Sequence, residues 1–192
     1  MKNSLFIFAL FLYSITCFAQ QRWSVEFRPG LNFPTEDLGE DKLKVGFGFD
    51  AKIAYKMMPH LKAYAGWSWN EFKVDSQFPL PNVTLDERGY TFGFELRLPI
   101  TEPPLTYYVF GGGIYNFIEI EYGTEGNIMR TKTERNLGWQ LGAGLEYSIL
   151  PEWAIRPEIR FHSLSGDLRR IGLPNMINLN YIAVGVGILR EF

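Results

Sequence analysis

Thiols are nearly missing from this chain of 192 residues: its one cysteine is Cys17. Cys17 falls in a segment that reads as a secretory leader. Lys2 gives a positive start, Leu5 to Tyr13 form a short apolar run, and Cys17-Phe18-Ala19 ends on a small residue. The run is too short for a spanning anchor. Lipidation of Cys17 is disfavoured, because Ser14-Ile15-Thr16 fits a lipoprotein box poorly. With residues 1–19 removed, the domain covers residues 20–192 and has no thiol, so disulfides and cysteine-ligated metals are excluded. No charge sign dominates: 19 Lys and Arg against 21 Asp and Glu give a net charge of −2, which offers no basic nucleic-acid surface. Beyond the leader no apolar stretch approaches ~18 residues, so no transmembrane helix is expected. Internal repeats, low-complexity tracts and linkers are also lacking. No metal, cofactor or nucleic acid is expected to bind.

What the chain does contain is aromatic residues, at 16%, and 19 glycines, a mixture unsuited to helix interiors. They fall in eight runs of period-two alternation, the mark of half-buried strands. The runs are Arg22–Phe33, Lys44–Lys56, Leu61–Asn70, Gly89–Ile100, Thr106–Tyr122, Leu137–Ile149, Trp153–His162 and Ile177–Phe192. In the first, Trp23, Val25, Phe27, Leu31 and Phe33 share one face, opposite Ser24, Glu26, Arg28, Gly30 and Asn32. The fifth is ambiguous: both faces are apolar around Gly111-Gly112-Gly113, where a bulge or change of phase is expected.

The connections alternate in length. Short segments follow runs 2, 4 and 6, at Lys56–His60, Pro99–Pro104 and Leu150–Glu152. Longer ones follow runs 1, 3, 5 and 7, at Pro34–Leu43, Glu71–Arg88, Gly123–Asn136 and Ser163–Met176. Short periplasmic turns alternating with longer extracellular loops, around strands long enough to cross at a tilt, predict an all-β fold: an eight-stranded antiparallel transmembrane β-barrel. Aromatics near the run ends, among them Trp23, Tyr55, Trp67, Tyr90, Trp139, Trp153 and Phe192, suit two interfacial girdles.

Alternation alone leaves the inside and outside of the barrel open. A soluble lipocalin-like barrel would turn its apolar face inward, around a ligand. Here the apolar face is crowded with Phe, Trp, Leu and Ile. The opposite face is small or charged, with neighbours Glu26/Arg28, Asp50/Lys52, Glu95/Arg97 and Arg156/Glu158/Arg160, and with Glu146 in run 6. Small residues and ion pairs fill a narrow lumen, and a lipid-facing mid-membrane Arg or Lys would cost ~2–4 kcal/mol. The expected arrangement is therefore apolar outside and paired charge inside. The final strand carries Val184, Val186 and Ile188 on one face, Ala183, Gly185 and Gly187 on the other, and ends on Phe192.

With these features the chain resembles small outer-membrane barrels of the OmpA/OmpX type, and most closely the β-barrel domain common in Bacteroidota outer membranes. The resemblance implies a cell outer-membrane location and a C-terminal signal, Val184, Val186, Ile188 and Phe192, read by the barrel assembly machinery. Arg190 stands where that family has an aromatic or apolar residue. Outer-membrane lipid or lipopolysaccharide, and a larger membrane complex, are the implied partners. The expected role is structural, binding or as a complex subunit, without catalytic residues. An enzyme alternative is a lipid A acyl hydrolase, since His162 lies on the face of Glu158 with Ser163 and Ser165 following. Those enzymes have serine two places after the histidine, where this chain has Leu164, and the next strand offers no glutamate before Glu191. Carboxylates expected near the loop ends are Asp75, Asp86, Glu87, Glu119, Glu121 and Glu125. Divalent ions or lipopolysaccharide phosphates could bind among them and Arg130, Lys132, Arg169 and Arg170, and a solvated mixed-charge surface is the simpler reading.

Overall fold

The computed structural model describes residues 22–36, 42–75, 83–99, 104–124, 127–167 and 176–192. The leader assigned to residues 1–19 lies outside them. Ten strands follow in order: β1 (Trp23–Pro34), β2 (Lys42–Leu43), β3 (Gly46–Met58), β4 (Leu61–Asp75), β5 (Val83–Pro99), β6 (Leu105–Thr124), β7 (Asn127–Lys132), β8 (Asn136–Leu150), β9 (Trp153–Asp167) and β10 (Met176–Glu191). Eight of them make a closed antiparallel ring. The hydrogen-bonded order is β4-β3-β1-β10-β9-β8-β6-β5, and β5 pairs back onto β4. First and last barrel strands are neighbours, with Gly30 opposite Gly185. Closure leaves the ring no free edge. β2 continues the line of β3 along β4, and β7 folds back on the end of β6.

The pleat sends alternate residues to opposite faces, and here one face is filled and the other bare. Phe27 is 50% exposed, Phe94 56% and Ile159 54%, whereas Glu26, Arg28, Asp50, Glu95, Arg156, Glu158 and Arg160 are buried. The apolar face points out, which rules out the lipocalin-like arrangement. Along β5 the outward apolar set runs from Tyr90 to Leu98, and along β1 from Trp23 to Phe33. At ~3.4 Å per residue and a tilt of about 40°, these sets are roughly 21–26 Å tall, the height of a lipid-facing band.

Two expectations are corrected. The long connections are shorter than the alternation suggested, because β4 continues to Asp75, β5 starts at Val83 and β9 reaches Asp167. Most of the segment between β6 and β8 is the β6–β7 hairpin. In these extensions the alternation inverts. Phe72, Leu85, Ile118, Leu164 and Leu179 point inward and are buried, while Glu71, Lys73 and Arg88 take outward positions, and Asp86 and Glu119, of the same outward parity, are buried against Arg88 and Lys132. Apolar-in and polar-out is the pattern of a sheet surrounded by water, so the strands leave the membrane where the inversion occurs.

The second correction concerns Gly111-Gly112-Gly113. Pairing is continuous there, with Phe94, Gly93 and Phe92 opposite Gly111, Gly112 and Gly113. Run 5 is apolar on both sides because its inner face, Tyr108, Phe110, Ile114 and Ile118, helps fill the lumen. The glycines serve close approach. A Cβ on inward-facing Gly93 or Gly112 would overlap backbone of the neighbouring strand and lie 2.8 or 2.7 Å from the Tyr64 hydroxyl. The register irregularities sit at the turn end, between Lys56 and Met58 and between Ser148 and Leu150.

Candidate functional site in the barrel lumen

All ten charged residues expected on the inner face lie there. Apart from Glu26/Arg28 on β1, their pairings join different strands rather than run along one. Two residues apart on one strand is about 7 Å between Cα atoms, whereas facing walls of a narrow barrel bring side-chain ends into contact. Arg156 of β9 lies 2.7 Å from Glu26 (β1), 2.7 Å from Glu95 (β5) and 3.5 Å from Glu146 (β8). Its guanidinium carbon lies 3.6 Å from the Tyr108 ring centroid. Arg160 grips Asp50 of β3 with two hydrogen bonds, of 3.0 and 2.7 Å. Arg28 pairs with Glu26 and Glu158. Lys52 is 3.7 Å from Glu158 and 4.5 Å from the Phe110 ring centroid. Of the neighbour pairs read from sequence, Glu26/Arg28 forms; Asp50, Lys52, Glu95, Arg97 and Glu158 find other partners.

The turn end is closed by Arg97 and Glu146 of that set together with Lys62 and Glu191, which stand outside it. Glu191 accepts hydrogen bonds from Lys62 at 2.8 Å and Arg97 at 3.1 Å, and Arg97 also pairs with Glu146. Lys62 sits at an inward position of run 3, so parity alone marked it as lumenal.

Above the ionic layer the lumen holds the buried carboxylate of Glu87. It had been placed among the loop-end acids; its inward parity on β5 puts it in the lumen instead. Glu87 accepts from Asn116 at 2.6 Å, Tyr181 at 2.9 Å and Asn70 at 3.3 Å, and meets His162 Nε2 at 2.7 Å. The His162 and Tyr181 rings stack with centroids 4.5 Å apart. Asn32 extends this network by donating to Asn70 at 2.8 Å. Beyond it, Phe72, Leu85, Ile114, Ile118, Leu164 and Leu179 meet in an apolar plug. A cavity of about 10 Å³ bounded by Arg28, Asn32, Asp50, Asn70, Glu158 and Arg160 is roughly the room of one water.

His162 therefore points into the lumen, while Ser163 and Ser165 take outward parity on β9. A nucleophile and base need mutual hydrogen-bond reach, which opposite faces of one strand do not give. Among the described residues no group of three His, Cys, Asp or Glu is arranged to hold a metal. Asp86, Glu119 and Glu121 have outward parity at the loop end, and Asp86 and Glu119 are buried against Arg88 and Lys132 rather than solvated. The side chain of Asp75, and Glu125, Arg169 and Arg170 altogether, lie outside the described residues. Val184, Val186 and Ile188 point outward, and Phe192 donates its backbone N–H to Trp23 at 2.8 Å. Arg190 also points outward, at the turn-end rim. It lies 3.4 Å from Glu152 and 4.8 Å from the Phe192 ring centroid.

A closed eight-stranded sheet with an apolar band outside and paired charge inside defines the small outer-membrane barrel class. The family model described as "Outer membrane protein beta-barrel domain" matches residues 6–188, and the chain belongs to that family. Among solved structures it is similar to Neisserial surface protein A, with a TM-score of 0.60 at 10% identity, covering 90% of this chain and 98% of that one. It is also similar to OprG from Pseudomonas aeruginosa, with a TM-score of 0.58 at 9% identity over 90% and 97% of the two chains. A major outer membrane protein from Thermus thermophilus matches with a TM-score of 0.53 at 11% identity over 89% and 98%. Such identities establish the shared fold alone. No curated protein sequence matches the chain.

Proposed function

We propose that this protein is a non-enzymatic resident of the outer membrane: a sealed barrel that presents its loop end outside the cell and acts there by binding or as a subunit of a larger complex. The observation that carries this reading is the filled lumen. The Arg156 and Arg160 networks, the Glu87 cluster and the apolar plug occupy successive levels along the barrel axis. A solute crossing the barrel would have to break several buried ion pairs and displace the plug. Eight strands enclose a space that side chains alone can fill, and here they do so.

The acyl hydrolase alternative draws little support, because His162 is turned away from both following serines and held by Glu87. Family membership supports a location in the outer membrane, with the short turns periplasmic. The test is electrical and chemical together. The purified full chain in planar lipid bilayers is expected to be silent, and deletion of its gene to leave the mass spectrum of lipid A unchanged. Steady single-channel conductance would overturn the sealed barrel, and a lipid A species that changes on deletion would overturn the non-enzymatic reading. A gentle-detergent pull-down that returns a stoichiometric partner would support the subunit role, and a lone monomer would count against it.

A further inference from the structure

The outward surface of β5, β6 and β7 changes character over three rows of residues. Tyr90 and Tyr115 are paired directly across the strands and both face outward. One row further toward the loop end, Arg88 pairs with Phe117. In the next row Asp86 stands opposite Glu119, and Glu119 opposite Lys132 of β7. The chain between β7 and β8 then carries Arg135 back over the aromatic rows. Its guanidinium carbon lies 5.0 Å from the Tyr90 ring centroid, 5.3 Å from Phe117 and 5.7 Å from Tyr115. Lys132 Nζ lies 5.6 Å from the Phe117 ring centroid.

The carboxylates of this patch are already engaged. Asp86 is 2.7 Å from Arg88, and Glu119 is 3.3 Å from both Arg88 and Lys132. Arg135 is exposed, and among the described residues no carboxylate lies within ion-pair distance of it. Arg135 is thus the cation of this patch that meets aromatic faces rather than a carboxylate. Depth narrows what can balance it. Arg135 lies level with Phe117, two residues beyond Tyr115. At ~3.4 Å per residue and a tilt of about 40° that is roughly 5 Å outside the tyrosine row. The headgroup layer is about 5–8 Å thick on each side of the hydrocarbon. The uncompensated guanidinium therefore lies at the level of lipid phosphates, above a wall of aromatic faces.

We infer that Arg135, supported by Lys132 and Arg88, holds the phosphate of an outer-leaflet lipid headgroup against the outer wall of the barrel. Guanidinium is suited to this task because its planar fork matches phosphate oxygens while its face stays on the aromatic rings. Tyr90 and Tyr115 then line the path of the acyl chains toward the hydrocarbon. The inference rests on the membrane reading above, because it requires the apolar band to lie in lipid.

The test is native mass spectrometry of the full, folded protein released from detergent. It is titrated with bis-phosphorylated lipid A, with the same lipid lacking its phosphates, and with inorganic phosphate as competitor. The wild type should retain one phosphorylated lipid. Arg135→Gln should bind it about tenfold more weakly and Lys132→Gln combined with Arg135→Gln more weakly still, whereas Arg190→Gln at the opposite rim should match the wild type. Equal retention by wild type and Arg135→Gln, or equal binding of the phosphate-free lipid, would overturn the site. Displacement of the lipid by equimolar inorganic phosphate would also overturn it, making this a small-anion site. Heat-dependent gel mobility reports folding of each variant independently. A folded Arg135→Gln protein that retains lipid normally removes the site and leaves the membrane reading standing.

Discussion

Arg156→Met asks how much of this barrel's stability depends on charge hidden in its centre. Methionine keeps much of the aliphatic length, while removing the guanidinium from the face of Tyr108 and from between Glu26, Glu95 and Glu146. Glu26 retains Arg28 and Glu146 retains Arg97. Glu95 loses its ion-pair partner, since Arg156 is the cation it meets among the described residues. Removing one partner of a buried pair costs about 3–5 kcal/mol, because the remaining charge stays desolvated. Urea unfolding of the protein in phosphatidylcholine vesicles, followed by tryptophan fluorescence, should show that loss as a lower midpoint with an unchanged slope. Adding Glu95→Gln should restore a substantial part of it, because the orphaned charge is then gone. The coupling between the two changes belongs to the pair. A single variant within about 1 kcal/mol of the wild type, or a double variant worse than the single by the full cost of Glu95→Gln alone, would refute the reasoning.

Other perturbations probe different parts of the molecule. Phe94→Arg places a cation midway down the outward set of β5 and should cost ~2–4 kcal/mol in vesicles, whereas Lys73→Arg beyond the inversion should be neutral; equal effects in the same urea titration would contradict the placement of the band. Gly112→Val should prevent recovery of the heat-modifiable folded band on gels, since a Cβ there meets strand backbone and the Tyr64 hydroxyl; full recovery would show that this wall has slack. Glu87→Leu strands the donors of Asn70, Asn116 and Tyr181 and should cost several times the ~1–3 kcal/mol of one unmet buried group, read in the same urea titration; a cost below about 1 kcal/mol would mean that the cluster relaxes freely.

The lipid-facing half of the fold was legible because hydrocarbon enforces a strict rule. Phe47, Phe94 and Ile159 can face only outward, and the small or charged residues between them only inward. Parity likewise assigned Arg28, Asp50, Arg156 and Arg160 to the lumen. It could not say which carboxylate each would meet, since facing walls are brought together by ring closure, and β1 and β9 are joined only through β10. The strand extensions were obscured for a related reason. At Glu71-Phe72-Lys73 the apolar residue switches to the inner face, because water or headgroups now lie outside and the plug lies within. Read along the chain, that reversal looks like the end of a strand. Glu87 was misplaced by the same reversal, and run 5 appeared irregular because its glycines separate two apolar faces.

Accessibility along a single strand tests the central claim most directly. Spin labels placed one at a time at residues 90 to 98, leaving out Gly93, of the membrane-inserted protein would report collisions with oxygen, which partitions into hydrocarbon, and with a water-soluble nickel complex. Oxygen collisions should alternate with period two, high at Tyr90, Phe92, Phe94, Leu96 and Leu98 with the maximum at Phe94, while Thr91, Glu95 and Arg97 stay shielded from both reagents. Oxygen peaks at Thr91 and Glu95 with shielding at Phe94, or nickel contact along the whole outward set, would contradict it.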